Sequence, residues 1–268
     1  MWGAVQLSSQ GDVAENLERA AALIAEAARR GASAVVLPEN FAYMGDEEGK
    51  RFIAEELAGE PTGPIGRRIA EAARASGVAV IAGGFPERSV DPARPYNTCA
   101  VFAPDGQVVA RYRKVHLFDV DLTDGSQYRE SASTSAGGEA VVAEVAGVRL
   151  GLSICYDLRF PELYRALSTS GAEAIVVPAA FTLLTGKDHW HVLLRARAIE
   201  AQAYVIAAAQ WGKHARGRAT YGKSCIIDPW GEVIAQASEG EGVITATLDP
   251  AYLARVRQNL PALLHRRL

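Results

Sequence analysis

The sequence predicts an α+β fold of two pseudo-symmetric halves, their sheets stacked face to face and their helices outside. Three observations point to it. The chain echoes itself: GASAVVLPENF at 31–41 returns as GAEAIVVPAAF at 171–181, VIA at 80–82 as VIA at 205–207, and APDGQVVA at 103–110 as DPWGEVIA at 228–235. The echoes keep their order, as an internal duplication requires. Each half also supplies helices, short apolar strand runs and then a hairpin, a series that buries its apolar faces when one sheet packs on another. No linker-like stretch separates the halves, so residues 1–268 read as a single domain.

The elements follow in order. Residues 2–7 form a short strand. Asp12 opens the first helix, with Glu15 placed as in a capping box, and the Ala-rich segment runs through Arg30 before Gly31 stops it. Residues 34–37 make a buried strand ending at Pro38-Glu39-Asn40. A second helix starts near Pro64 and stops at Gly77. Residues 78–82 are the next strand, and 98–102 another. Pro104-Asp105-Gly106 turns the chain into a hairpin partner at 108–112. Residues 114–138 are loop-rich. From Val148 a strand alternates Leu150, Leu152 and Ile154 with smaller residues and presents Cys155 at its end. Asp157 then caps the following helix, with Pro161 in its first turn. Asp249-Pro250 opens the last helix, where Leu253, Val256, Leu260 and Leu263 recur at helical spacing, and a basic His265-Arg266-Arg267 tail follows.

Composition narrows the function classes. A chain of 268 residues with 49% hydrophobic and 22% charged residues is that of a soluble globular enzyme. A net charge of −3 offers no bulk positive field for nucleic acid or anionic lipid. No apolar run reaches the roughly 18 residues of a membrane span, and the first ten residues lack the pattern of a secretory signal. Three cysteines without a CxxC pair suit a reducing compartment, so a cytoplasmic enzyme without a disulfide framework or zinc site is expected.

Three polar residues close apolar strands: Glu39 after AVVLP, Lys114 after VVARYR and Cys155 after GLSI. The second half keeps the scaffold around position 39 but has Ala179 there, the asymmetry of one site built from two similar halves. Cys155 stands where the backbone N–H groups of a new helix point at it, which favours a thiolate or an oxyanion. Its alternative role is that of a small buried hydrophobe, the reading taken for Cys99 and Cys225 at nearly equivalent repeat positions.

LPEN (37–40), RKVHLFD (113–119) and ICYDLRFPELYR (154–165) closely resemble the three signature segments of the nitrilase superfamily of carbon–nitrogen hydrolases. The resemblance covers nearly the whole chain. It implies a four-layer α-β-β-α sandwich, with Glu39 as general base, Lys114 stabilising the tetrahedral intermediate, Cys155 as nucleophile and Glu130 as a second carboxylate. It implies no metal and no cofactor, and a homodimer or larger homo-oligomer. The chemistry is coherent: Glu39 takes the thiol proton as sulfur attacks an amide carbonyl, Lys114 and the Tyr156 N–H hold the oxyanion, and water then hydrolyses the thioester. His116, close to Lys114, leaves open a Cys–His dyad instead.

HLFDVD, the Arg129-Glu130-Ser131 segment, residues 189–200, VIAAAQ (205–210) and DPWG (228–231) look most like the deaminated-glutathione amidase branch, with the ω-amidase branch acting on 2-oxoglutaramate nearest to it. An acyltransferase using the same thioester is the alternative from another class. The expected partner is a small-molecule amide of a carboxylate-bearing 2-oxo acid. Arg159 is the candidate clamp for that carboxylate, and Phe181 and Thr182 line the pocket. Arg195 and Arg197 are structural. GRATYGKS at 217–224 fits the P-loop expression but leads into a strand rather than a helix, so no nucleotide site is expected. His189 and His191, two apart on a helix, point away from each other and make no metal pair.

Overall fold

The computed structural model describes residues 1–57, 60–123 and 125–267. Its first half runs β1 (Trp2–Gln6), α1 (Val13–Arg29), β2 (Ala34–Val36), α2 (Pro64–Ser76), β3 (Ala79–Glu87), β4 (Tyr96–Phe102) and β5 (Val108–Arg113). A small ribbon of β6 (Asp119–Asp121) and β7 (Gln127–Arg129) follows. Next come β8 (Val141–Val145), β9 (Val148–Leu152), α3 (Pro161–Thr169), β10 (Ala174–Val176), α4 (Leu183–Ala201) and β11 (Tyr204–Ala207). The chain closes with a second ribbon, β12 (Trp211–Lys213) and β13 (Ala219–Tyr221), then β14 (Cys225–Ile227), β15 (Val233–Gln236), β16 (Gly242–Ala246) and α5 (Pro250–Asn259).

The two main sheets carry the same topology. One is ordered β16-β1-β2-β3-β4-β5 and the other β8-β9-β10-β11-β14-β15. In both, the pairings run antiparallel, parallel, parallel, antiparallel, antiparallel. The duplication read from the echoes is therefore a duplication of fold. One strand breaks the symmetry of the chain order: β8 precedes its half as a local hairpin with β9, whereas β16 returns from the far end to pair with β1.

Strand alternation sorts the core into layers. Ala34, Val36, Ile81, Cys99 and Val101 pack in one cluster with Leu152, Val176, Val205 and Cys225 of the opposite sheet. Val35 and Val80 point the other way, into a second cluster with Leu17, Ile24, Ile65 and Ile69 of α1 and α2. Trp190, Leu194 and Leu167 of α4 and α3 cover the outside of the second sheet. The layers are thus helix, sheet, sheet, helix.

Local chemistry sets the ends of the helices. Asp12 accepts the Glu15 N–H at 3.0 Å at the start of α1, and Asp249 accepts the Ala251 N–H at 2.8 Å at the start of α5. Gly77 takes a left-handed φ of 66° to end α2. Four sequence expectations need correction. Asp157 does not cap the helix after Cys155: it lies in a 3-10 turn (Cys155–Arg159), and α3 begins at Pro161 behind Phe160. The strand expected at 78–82 continues to Glu87, through a bulge between Ala82 and Phe85. The loop-rich stretch 114–138, whose residue 124 lies outside the described residues, carries the β6–β7 ribbon. The last helix ends at Asn259, before Leu260 and Leu263, so only Leu253 and Val256 of the four spaced apolar residues lie on it, and both are buried in the chain itself.

Candidate active site

Glu39, Lys114, Glu130 and Cys155 converge on one cavity of about 350 Å³ at the ends of the strands. Glu39 follows β2, where Asn40 turns left-handed at φ 58° and donates its N–H to Gly84 O. The bulge of β3 lies directly beneath. A Cβ on Gly84, itself at φ 52°, would come 2.8 Å from Glu39 Cγ, so glycine is required for the carboxylate to sit there. Lys114 leaves β5 with its N–H bonded to Asn97 O at 2.8 Å. Cys155 stands on a left-handed backbone at φ 47°, shortly beyond the end of β9, and its N–H bonds Pro178 O at 2.8 Å. That conformation costs a non-glycine residue about 1–2 kcal/mol and aims the side chain off the sheet into the cavity.

The polar groups form one buried cluster. Lys114 Nζ donates to Glu39 Oε1 at 2.9 Å and to Glu130 Oε2 and Oε1 at 2.9 and 3.1 Å. Asn97 Nδ2 donates to Glu39 Oε1 at 2.9 Å and Glu130 Oε1 at 3.2 Å. The Ala180 N–H reaches Glu39 Oε2 at 3.1 Å, and the Phe118 N–H reaches Glu130 Oε2 at 2.7 Å. The Cys155 thiol faces the same cavity as Glu39, and the two groups act on each other electrostatically.

Charge decides the resting protonation. Burial would raise the Glu39 carboxyl, but the Lys114 ammonium outweighs it and holds the group below its ordinary value. Burial would lower Lys114, yet Glu130 and Glu39 hold it well above its ordinary value. Burial and then the negative charge of Glu39 push the Cys155 thiol well above its ordinary value, against the pull of Lys114. At neutral pH the site therefore holds a carboxylate, an ammonium and a neutral thiol. Such a set attacks by passing the thiol proton to the carboxylate as the S–C bond forms.

Tyr156, Arg159, Phe181 and Thr182 all line the cavity. Tyr156 lies in the first turn of the 3-10 helix, whose leading N–H groups lack intrahelical acceptors. Among the described residues Arg159 meets no carboxylate: its guanidinium contacts His189 Nδ1 at 3.2 Å and lies over the Phe181 and Tyr156 rings. His116 does not line the cavity. Its Nδ1 pairs with Asp157 Oδ1 at 2.7 Å and its ring stacks on Phe160 with centroids 3.7 Å apart. Arg197 is buried on Leu158 O and Glu200, and Arg195 bonds Gly231 O. His189 and His191 have separate partners, Arg159 and Gln236. The P-loop-like stretch leads into strand β14, with no helix after it. Cys99 and Cys225 are fully buried, and burial pushes the Cys225 thiol up to about 12.

Several site residues carried no local signal. Asn97 is a buried polar residue at the start of an apolar strand, the one cue that could have marked it. Gln210 donates to Glu39 O at 3.0 Å and to Ser9 Oγ at 2.9 Å, tying Glu39 to the second half. Met44, Glu47, Lys50, Tyr128, Thr185 and Arg218 complete the outer wall.

The family described as Carbon-nitrogen hydrolase matches residues 3–258. A deaminated glutathione amidase of Synechocystis sp. is 48% identical over 266 residues, covering 98% of this chain and 96% of the relative. The omega-amidase NIT2 of Xenopus tropicalis is 41% identical, covering 94% of this chain and 90% of the relative. The crystal structure of Saccharomyces cerevisiae Nit3, a member of the nitrilase superfamily, superposes with a TM-score of 0.89 at 33% identity, covering all of this chain and 96% of that one.

Proposed function

Because the chain belongs to the carbon–nitrogen hydrolase family, the nitrilase superfamily, and is a hydrolase of amide carbon–nitrogen bonds, we propose that it hydrolyses the amide of a carboxylate-bearing 2-oxo acid, with deaminated glutathione as its substrate. The observation that carries this reading is a buried thiol sharing one cavity with a lysine-paired carboxylate, with Arg159 on the cavity wall meeting no carboxylate among the described residues. In this reading Arg159 binds the substrate carboxylate, while Phe181 and Thr182 shape the acyl pocket.

Sulfur of Cys155 attacks the carbonyl carbon while its proton passes to Glu39. The oxyanion is held by Lys114 Nζ and the Tyr156 N–H, each such donor contributing roughly 3 kcal/mol in comparable sites. Glu39 gives the proton to the departing nitrogen as the C–N bond breaks, leaving a thioester. Glu39, again a carboxylate, deprotonates water, which attacks the thioester and releases the acid and the thiol. Glu130 already accepts from Lys114, Asn97 and the Phe118 N–H, which suits it to hold the lysine in place. The reading takes residues 1–268 as one domain, supported by the core the two sheets share, in a cytoplasmic homodimer or larger homo-oligomer. Exposed Val192, Ile199 and Trp230 support assembly, and no helix among the described residues is long and apolar enough to cross a membrane.

The test is parallel turnover of deaminated glutathione and 2-oxoglutaramate, following 2-oxoglutarate release, with Cys155→Ala as blank. Higher kcat/KM on deaminated glutathione is expected. Preference for 2-oxoglutaramate would place the enzyme with the ω-amidases, and turnover of neither would refute the substrate class.

A further inference from the structure

The outer wall of the cavity holds a second cationic group, apart from Arg159. Glu47 lies between two cations: Lys50 Nζ is 2.7 Å from its Oε2 and Arg218 Nη2 2.6 Å from its Oε1. Burial would raise Glu47, but Lys50 and Arg218 hold it at about 2, so the trio carries one net positive charge across the working pH range. Lys50 is almost wholly buried, and Arg218 also lies over the Tyr128 ring. Arg129, the remaining cation on the wall, is already paired with both oxygens of Asp121.

The position of this trio relative to the reacting atoms gives it a direction. Glu39 hands its proton to the departing nitrogen, so the leaving amine lies on the Glu39 side of the scissile bond. Lys50 lines the same cavity as Glu39 and Asn40, and shares a second, smaller pocket with Asn40 and Asn97, the residue that donates to Glu39. The reading above gives Arg159, four residues beyond the nucleophile and lying over the Tyr156 and Phe181 rings, to the carboxylate of the acyl part.

We propose that Lys50 and Arg218, bridged by Glu47, form a subsite for a carboxylate carried by the leaving amine, so that the preferred substrate is a dianion with one carboxylate on either side of the scissile amide. The inference rests on the amidase reading above and deepens it. A leaving group no larger than ammonia leaves this subsite empty, whereas a short peptide ending in a carboxylate spans to it. Two separated positive sites meeting two carboxylates also leave the inner Glu39–Lys114–Glu130 charge balance undisturbed.

The experiment compares two amides of the same 2-oxo acid on the wild-type enzyme, one whose leaving dipeptide ends in a free carboxylate and one whose dipeptide ends in a carboxamide. The carboxamide is expected to lose about tenfold in kcat/KM, mostly through KM, the scale of one charge-assisted hydrogen bond. In Arg218→Gln and Lys50→Met the two substrates should converge, and Arg218→Lys should keep part of the discrimination. Equal efficiency on both amides in the wild type would overturn the subsite alone. So would variants that slow both substrates by the same factor, because the trio would then only fasten the 47–52 turn to the second ribbon. Hydrolysis of neither amide would overturn the amidase reading and the subsite with it.

Discussion

At the scale of single residues, Glu39 acts on Cys155 in two opposed ways. Its carboxylate accepts the thiol proton during attack, yet its negative charge adds to burial in raising the thiol at rest. Glu39→Gln removes the proton acceptor and the charge together. The expected result is a Cys155 thiol that ionises at lower pH than in the wild type, seen as thiolate absorbance appearing earlier in an alkaline titration, while amide turnover falls by roughly 10² or more. Cys99 and Cys225 stay silent in that titration because burial pushes both thiols up. A Glu39→Gln enzyme whose thiol ionises later than the wild type would contradict the charge balance described. The members of this cluster were legible in the sequence because each closes an apolar strand or belongs to a signature segment. Asn97, Gln210 and Lys50 were not, because their roles arise only from neighbours 33 to 201 residues away or from the charge they share across the cavity.

At the scale of elements, the turn that presents Cys155 is held from outside itself. Asp157 Oδ2 accepts from the Ile154 N–H at 2.9 Å and from Tyr112 OH at 2.7 Å, and its Oδ1 takes the His116 N–H and pairs with His116 Nδ1. A fully buried carboxylate thus joins the nucleophile turn to β5 and to the segment after Lys114. Asp157→Ala would leave those donors unpaired in the interior, and a loss of about 3–5 kcal/mol in urea unfolding is expected, with thioester formation falling further as the left-handed Cys155 relaxes. Stability within about 1 kcal/mol of wild type would show that the turn holds itself. A short polar residue before a helix has two local uses, cap or clamp. The sequence favoured the cap, since the donors that make it a clamp come from 41 and 45 residues upstream.

At the scale of the whole molecule, the two halves meet at their equivalent strand ends. Pro178, the counterpart of Pro38, packs on Gly83, and a Cβ there would collide with Pro178 and with the Leu37 carbonyl. Gly83→Ala is expected to cost about 3 kcal/mol by overpacking, measured as a lower midpoint of thermal unfolding, with activity lost in parallel because Glu39 and the Ala180 N–H belong to opposite sides of that seam. A variant with unchanged melting and activity would mean the seam has room to spare. The duplication was plain in the sequence because repeated strand-and-turn chemistry is local. The partner of β1 was not, since Trp2 pairs with Ala246 and no short-range pattern signals a match across that span.

That pairing has a consequence for how the polypeptide is made. During synthesis the second sheet completes its β8–β9 hairpin from adjacent segments, but the flank of β1 that receives β16 has no partner until residues 242–246 have left the ribosome. Until then β1 is an open edge rich in apolar side chains, the feature most prone to pair with a neighbouring nascent chain. β16 therefore closes an edge made about 240 residues earlier, and a messenger truncated before it would release a chain with an adhesive border rather than a shortened enzyme.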